Sequence, residues 1–251
     1  MRDHPEPISS ATGARFRAPD GGWVTIDAAG YNLEEPWSAS VQVTTKRPYA
    51  GTPDGLQLRD LHITVVGNYD MVLERVIGGR WANIVEAQGG HLLISHCETA
   101  EQGLAVWRGP WHEVATWLPD PTMSGSDALR YFARLYFEDS PEGLCVRPTA
   151  PAVDRVEVLD VSKKIPGVGF LDIRKPETAH QLVPDWSGAP VPTGEVWMED
   201  VASTPQEPSK IVLLHATPST VTTLSGEAEL NVDWKDGLEF LFNVNELSWT
   251  D

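Results

Sequence analysis

The amino-acid sequence predicts an α+β protein in which β-strands dominate and pair mostly antiparallel, as a sandwich or a barrel-like sheet. Two observations favour this fold class. Short β-branched runs bounded by Gly, Pro and Asn recur along the 251 residues, and they outnumber the two helical patterns by a wide margin. Strands and helices also do not alternate regularly, as they would in a parallel α/β sheet.

The predicted strands are runs of four to six residues, several of which alternate apolar and polar side chains. In the clearest run, Leu61, Ile63 and Val65 alternate with His62 and Thr64. The runs cover residues 23–27, 40–44, 61–66, 91–95, 103–107, 156–161, 170–173 and 195–198. Their number and spacing make β-structure the main component of the fold.

Two helices are predicted in the middle of the chain. A short helix near 110–118 begins behind Pro110, which suits a first helical position. Its expected apolar face consists of Trp111, Val114, Ala115 and Leu118. A longer amphipathic helix is predicted near 124–138, capped by Ser124 and carrying Asp127 three residues later. The expected apolar stripe of this second helix consists of Leu129, Phe132, Leu135 and Tyr136.

The C-terminal region predicts a β-hairpin. Apolar residues alternate with polar ones over 228–234 and again over 238–244. A two-residue Asp-Gly turn would place acids and aromatic rings on the same face. A three-residue loop over 235–237 places every apolar side chain on one face, and it is therefore the predicted connection. It pairs Trp234 with Leu238, Val232 with Phe240, and Leu230 with Phe242.

Proline placement predicts the domain organisation. We expect residues 1–20 to form an N-terminal arm and residues 21–150 to form a β-rich body that contains both helices. Pro148 and Pro151 mark a plausible boundary before an acidic β region, 151–251, that contains a Pro-rich surface loop at 176–194. A single continuous domain remains the alternative at this stage.

The net charge of −17 is the most unusual bulk property of the chain. Residues 195–251 contribute 11 acidic and 2 basic residues, or −9 of this total. Such a charge repels nucleic acids and anionic membranes and attracts basic proteins. No apolar stretch approaches the length of a membrane span, and no signal sequence follows Met1, so we expect a cytoplasmic protein or one incorporated in a particle.

The search for catalytic, cofactor or metal sites yields no candidate residue. His91, His96, Cys97 and His112 form the nearest approach to a metal cluster, but their spacing does not converge on a tetrahedral site. Cys97 beside His96 lacks the geometry of an activated thiolate. Whether Cys97 and Cys145 are bridged is left open. No cofactor and no metal are therefore expected.

Four residues are predicted to bind a partner. Trp186 lies in the Pro-rich loop, and Trp is enriched among interface hot spots. Glu195, Glu199 and Asp200 follow it in the acidic region.

The sequence thus favours a non-enzymatic subunit of a multi-protein assembly, of the phage-tail-like kind, that contacts other subunits. An acidic immunity-type protein that neutralises a basic partner is the alternative, and an enzyme with a dispersed active site is the second. Oligomerisation is left open.

Overall fold

The computed structural model describes residues 13–45, 57–96, 103–118, 125–149, 153–201, 211–226 and 234–251. Within these ranges the protein is β-dominant and mostly antiparallel, which confirms the predicted fold class. The strands are β1 (Gly13–Arg17), β2 (Trp23–Ala28), β3 (Trp37–Thr45), β4 (Gln57–Val65), β5 (Arg80–Ala87), β6 (Gly90–His96), β7 (Gly103–Arg108), β8 (His112–Leu118), β9 (Leu135–Ser140), β10 (Gly143–Pro148), β11 (Val153–Ile165), β12 (Gly169–Arg174), β13 (Ala189–Val191), β14 (Gly194–Asp200), β15 (Ile211–Ala216), β16 (Val221–Ser225) and β17 (Val244–Thr250).

The helices are short and lie between strands. They are α1 (Asn68–Val72), α2 (Gly125–Phe132), α3 (Pro176–Ala179) and α4 (Trp234–Asn243). A π-helical turn, Leu73–Ile77, continues α1, and a 3-10 turn, His180–Leu182, continues α3. No helix in the described part of the chain has the length and apolar character needed to cross a membrane.

The chain forms two compact units that interleave in sequence. The first unit comprises Phe16–Val24, Pro36–Ser162 and Thr250–Asp251. The second unit comprises Met1–Arg15, Thr25–Glu35 and Lys163–Trp249. The expected N-terminal arm and the expected boundary near residue 151 stay predictions.

An antiparallel sheet forms the body of the first unit, with strand order β3-β4-β8-β7-β6-β5. On one face, the register places Ile63, Val114, Trp107 and Leu92 side by side, and all four are buried. Phe137 of β9 packs on Trp107 with ring centroids 4.7 Å apart, so the β9-β10 hairpin covers this face as a second layer. The unit is therefore sandwich-like.

The opposite face of this sheet is covered in part by α1. Tyr69 of this helix joins a buried cluster with Leu93, Leu104, Val106 and Ala115 of the sheet. Full burial of an apolar side chain of this size contributes about 1.5–3 kcal/mol, so this cluster fixes α1 on the sheet.

Five antiparallel strands, paired in the order β13-β14-β15-β16-β12, form the core of the second unit. On one face, Ala179 of α3 packs with Trp197, Leu214 and Val221. On the other face, α4 lies so close that a Cβ at Gly237 would sit 3.0 Å from a methyl carbon of Leu224. α3 therefore covers part of one face of these strands, and α4 covers part of the other.

The predicted strands are confirmed, because the eight runs fall on observed strands, namely β2, β3, β4, β6, β7, β11, β12 and β14, with Val66 alone lying just beyond the end of β4. The helix predicted near 110–118 is wrong. His112–Leu118 forms β8, and six of its seven residues are buried, with only Trp117 exposed. A strand buried on both faces carries apolar residues at both odd and even positions, so Val114, Ala115 and Leu118 also satisfy helical spacing.

The structure corrects the longer predicted helix in part and the predicted C-terminal hairpin in full. The helix predicted near 124–138 ends at Phe132, and Leu135 and Phe137 instead alternate inward in β9. Ser124 lies outside the described residues. The C-terminal hairpin is wrong, because Trp234–Asn243 forms α4, which buries Phe240 and Leu241 and leaves Phe242 exposed. Residues 228–233 lie outside the described part of the chain.

Candidate protein-interaction surface

The predicted partner-binding residues are placed by β14. This strand pairs with β15 along its whole length, with Glu195 opposite Ala216 and Asp200 opposite Ile211. Side chains alternate along a strand, so Glu195 and Glu199 share a face with Trp197, whereas Asp200 points to the other face. All three carboxylates are exposed.

The loop that carries Trp186 is attached to the same face of β14. The indole nitrogen Nε1 of Trp197 donates a hydrogen bond of 2.8 Å to the backbone carbonyl of Trp186. The backbone N–H of Gly188 donates a hydrogen bond of 2.9 Å to Oε2 of Glu195. The structure therefore brings Trp186 and Glu195 together, and Glu195 positions the loop.

Gly188 is required at its position by close packing. A Cβ there would lie 2.8 Å from the Trp197 ring, which no real side chain tolerates without displacement. Gly188 thus allows the loop to lie directly on the strand. The Trp186 side chain is 68% exposed, so its ring is presented to solvent from an anchored backbone.

The edge of β14 is only partly covered. β13 pairs with Gly194, Glu195 and Val196, and its pairing with β14 begins at Ala189. Residues 197–200 therefore have no strand neighbour on this side within the described ranges. Met198 is 57% exposed on this stretch, which adds an apolar side chain to an open backbone edge.

All the charged side chains in this part of the sequence are acidic. Residues 183–201 contain four acids, Asp185, Glu195, Glu199 and Asp200, and no Lys, Arg or His. Asp185 and Met198 were not predicted from the sequence, although Asp185 adjoins Trp186 and could have been included on that ground. We refer to residues 183–201 as the acidic edge surface.

A separate cluster of charged residues lies in the first unit. Glu113 is fully buried and accepts a hydrogen bond from Nε of Arg108 at its Oε1 atom, and one of 3.1 Å from the backbone N–H of Tyr69 at Oε2. The same guanidinium donates a hydrogen bond of 2.8 Å to Oδ1 of Asp70. Trp81 donates a further bond of 2.7 Å to that oxygen.

The ionisation of this cluster follows from its contacts. Burial alone would raise the pKa of the Asp70 carboxyl, but the hydrogen bonds from Arg108 and Trp81 outweigh it and hold this pKa below its usual value. Burial, followed by the charge of Glu113, raises the pKa of Tyr69. Arg108 thus lies between two carboxylates and donates hydrogen bonds to both, which is the arrangement of a structural ion-pair network.

Two of the histidines that approached a metal motif in the sequence, His91 and His112, have described side chains. His112 is buried and its Nδ1 lies 2.7 Å from Oδ1 of Asp139, whose other oxygen accepts the Trp111 backbone N–H at 2.8 Å. His91 is exposed on β6. Within the described ranges, no group of three or more His, Cys, Asp or Glu residues could hold a metal ion. Cys97 lies outside those ranges, and Cys145 is a buried free thiol.

Comparison with known proteins adds no relative. The chain matches no protein-family model, no curated protein and no solved structure. The functional conclusion therefore depends on the geometry described above.

Proposed function

We propose that this protein is a non-enzymatic subunit of a multi-protein assembly, and that the acidic edge surface binds a basic, extended segment of a partner protein. The observation that supports this most directly is the open edge of β14, residues 197–200, beside the exposed ring of Trp186. An extended peptide that adds a strand to such an edge gains main-chain hydrogen bonds.

The remaining residues of the surface supply specificity. The Trp186 backbone is held by its hydrogen bond to Trp197, so little backbone freedom is lost when a partner covers the ring. The four carboxylates of residues 183–201, a segment that contains no Lys, Arg or His, favour Lys and Arg in the partner and speed its association. The long Pro-rich segment and the β-rich body are features that we also associate with particle subunits, and a phage-tail-like particle is the assembly we propose.

A Trp186→Ala substitution is expected to weaken binding by about 30-fold, the effect of losing a typical hot spot. The probe is a fluorescent peptide of alternating Lys and Val, titrated against the full chain by anisotropy. Trp111→Ala is the matched control, because Trp111 is also exposed (53%) but belongs to the first unit. Equal affinities for the Trp186 and Trp111 variants would contradict the proposal.

A Gly188→Ala substitution tests the position of the loop separately from its chemistry. This variant keeps Trp186 and every carboxylate, but the added methyl group meets the Trp197 ring and displaces the loop. We expect weaker binding of the same peptide with an unchanged urea midpoint of the first unit. Unchanged affinity would show that the anchored position of Trp186 is irrelevant.

Salt dependence tests the electrostatic part of the proposal. Raising the salt concentration from about 0.01 M to about 0.15 M shortens the Debye length from about 30 Å to about 8 Å. Affinity for the Lys-Val peptide is therefore expected to fall. A Glu199→Lys, Asp200→Lys double variant should show a smaller fall, while Glu239→Lys on α4 should behave as the unsubstituted chain. Salt-independent binding would contradict a role for the carboxylates.

A further inference from the structure

The outer edge of β5, in the first unit, has no strand partner in the part of the chain that the structure describes. β5 is the last strand in the sheet order and pairs with β6 alone within the described residues. None of its eight residues is buried, and Ile84 is 63% exposed. Long, exposed edges with apolar side chains are templates for pairing with another strand, so natural proteins usually protect them.

β13, the outer strand of the second unit, is short and contains proline, two features that oppose pairing with another strand. β13 has three residues, includes Pro190 and is followed by Pro192. β5 is eight residues long and contains neither Pro nor Lys. Its one irregularity is a shift in register between Trp81 and Asn83, which leaves residues 83–87 regular up to the tight turn at Gln88.

The charge around β5 favours a second copy of the chain as its occupant. Residues 74–87 contain two acids, Glu74 and Glu86, and two bases, Arg75 and Arg80. The net charge of this stretch is therefore zero, in a chain whose net charge is −17. A basic partner is not attracted to it, and two copies of the chain do not repel each other there.

The strand is also complementary to itself. Antiparallel pairing of two β5 strands about a two-fold axis at Ile84 sets Ile84 opposite its own copy and Asn83 opposite Val85. It brings the Arg80 end of each strand to the Glu86 end of the other, so charges of opposite sign lie near each other at both ends. A contact of this kind uses the same patch on both copies and closes as a dimer.

We propose that two copies of this protein associate edge to edge through β5, extending the sheet of the first unit across a two-fold axis. This inference is independent of the acidic edge surface, which lies in the second unit. Main-chain hydrogen bonds and the contact between two Ile84 side chains hold the dimer together. Because both copies are strongly acidic elsewhere, added salt screens their mutual repulsion and strengthens the dimer.

Sedimentation velocity of the full chain over a concentration series tests the dimer. We expect a monomer–dimer equilibrium whose dissociation constant decreases with added salt. Ile84→Lys should weaken it by about tenfold or more, because Lys on an edge strand opposes pairing. Phe242→Lys is the control, since Phe242 is exposed (51%) on α4 and should leave the equilibrium unchanged.

A disulfide test locates the contact. In a Cys97→Ser background, Ile84→Cys is expected to give a covalent dimer under mild oxidation, whereas Met71→Cys, exposed on α1, is not. A monomer at every concentration and salt level would overturn the proposal. A dimer that persists unchanged in Ile84→Lys, or that is trapped equally by Met71→Cys, would overturn it as well.

Discussion

An Arg108→Met substitution is expected to destabilise the protein by about 3–5 kcal/mol, the effect of removing one member of a buried ion pair. Glu113 is fully buried, and Arg108 provides its charged partner. Methionine fills similar space but cannot neutralise the carboxylate, so a buried negative charge is left with only the Tyr69 backbone N–H. Urea denaturation of the unsubstituted chain and of Arg108→Met measures the difference in the free energy of unfolding.

The attribution to Glu113 is tested by a second substitution. In the Arg108→Met background, Glu113→Gln removes the uncompensated charge and should recover a large part of the loss. Arg155→Met is the matched control, because the Arg155–Glu157 pair is 2.9 Å long but its Arg side chain is 65% exposed, and we expect less than about 0.5 kcal/mol. No recovery by Glu113→Gln would show that Arg108 acts through packing alone.

Acidification is expected to destabilise the second unit through His215. This side chain is fully buried on β15, with Thr193 Oγ1 3.1 Å from its Nε2, and burial lowers its pKa to about 4. The unfolded chain protonates His215 below about pH 6.5, whereas the folded protein resists protonation until about pH 4. The unfolded state therefore binds more protons between these values, so stability is lost as the pH falls through this window.

A His215→Gln variant isolates this contribution. Glutamine keeps a polar group near Thr193 and Thr222 but has no proton to bind in this range. Between about pH 7.5 and about pH 4.5, the unsubstituted chain should lose about 2–3 kcal/mol more stability than the variant. His180→Gln, at an exposed position, should behave like the unsubstituted chain. Parallel pH profiles for the unsubstituted chain and His215→Gln would contradict this account.

The sequence predicted the fold class because a half-buried strand leaves a period-two pattern that needs no partner to be recognised. In β4, Leu61 and Ile63 are buried and alternate with His62, as the pattern required. The same reasoning failed for β8, whose two faces are both buried, so that apolar residues fit either period. It also failed for α4, where Phe240 and Leu241 are buried neighbours, as a helix permits and a strand with one buried face does not.

The sequence predicted part of the candidate surface for a similar reason. An exposed Trp in a loop and nearby acids are visible in one sequence, which led to Trp186, Glu195, Glu199 and Asp200. The open edge of β14 is not visible there, because it depends on where β13 stops and on the hydrogen bond between Trp197 and Trp186. The contact between Asp70 and Arg108, 38 residues apart, likewise carries no local signal.

Hydrogen exchange of the full chain tests the central claim that the β14 edge is a protein-binding site. Adding the Lys-Val peptide should slow exchange at alternate amides of residues 197–200, the groups that point away from β15, and should leave β5 unchanged. A Glu-Val peptide of the same length should produce no such protection. Protection of residues 197–200 by the Lys-Val peptide alone is the predicted result. Equal protection by both peptides, or protection confined to other strands, would contradict the account.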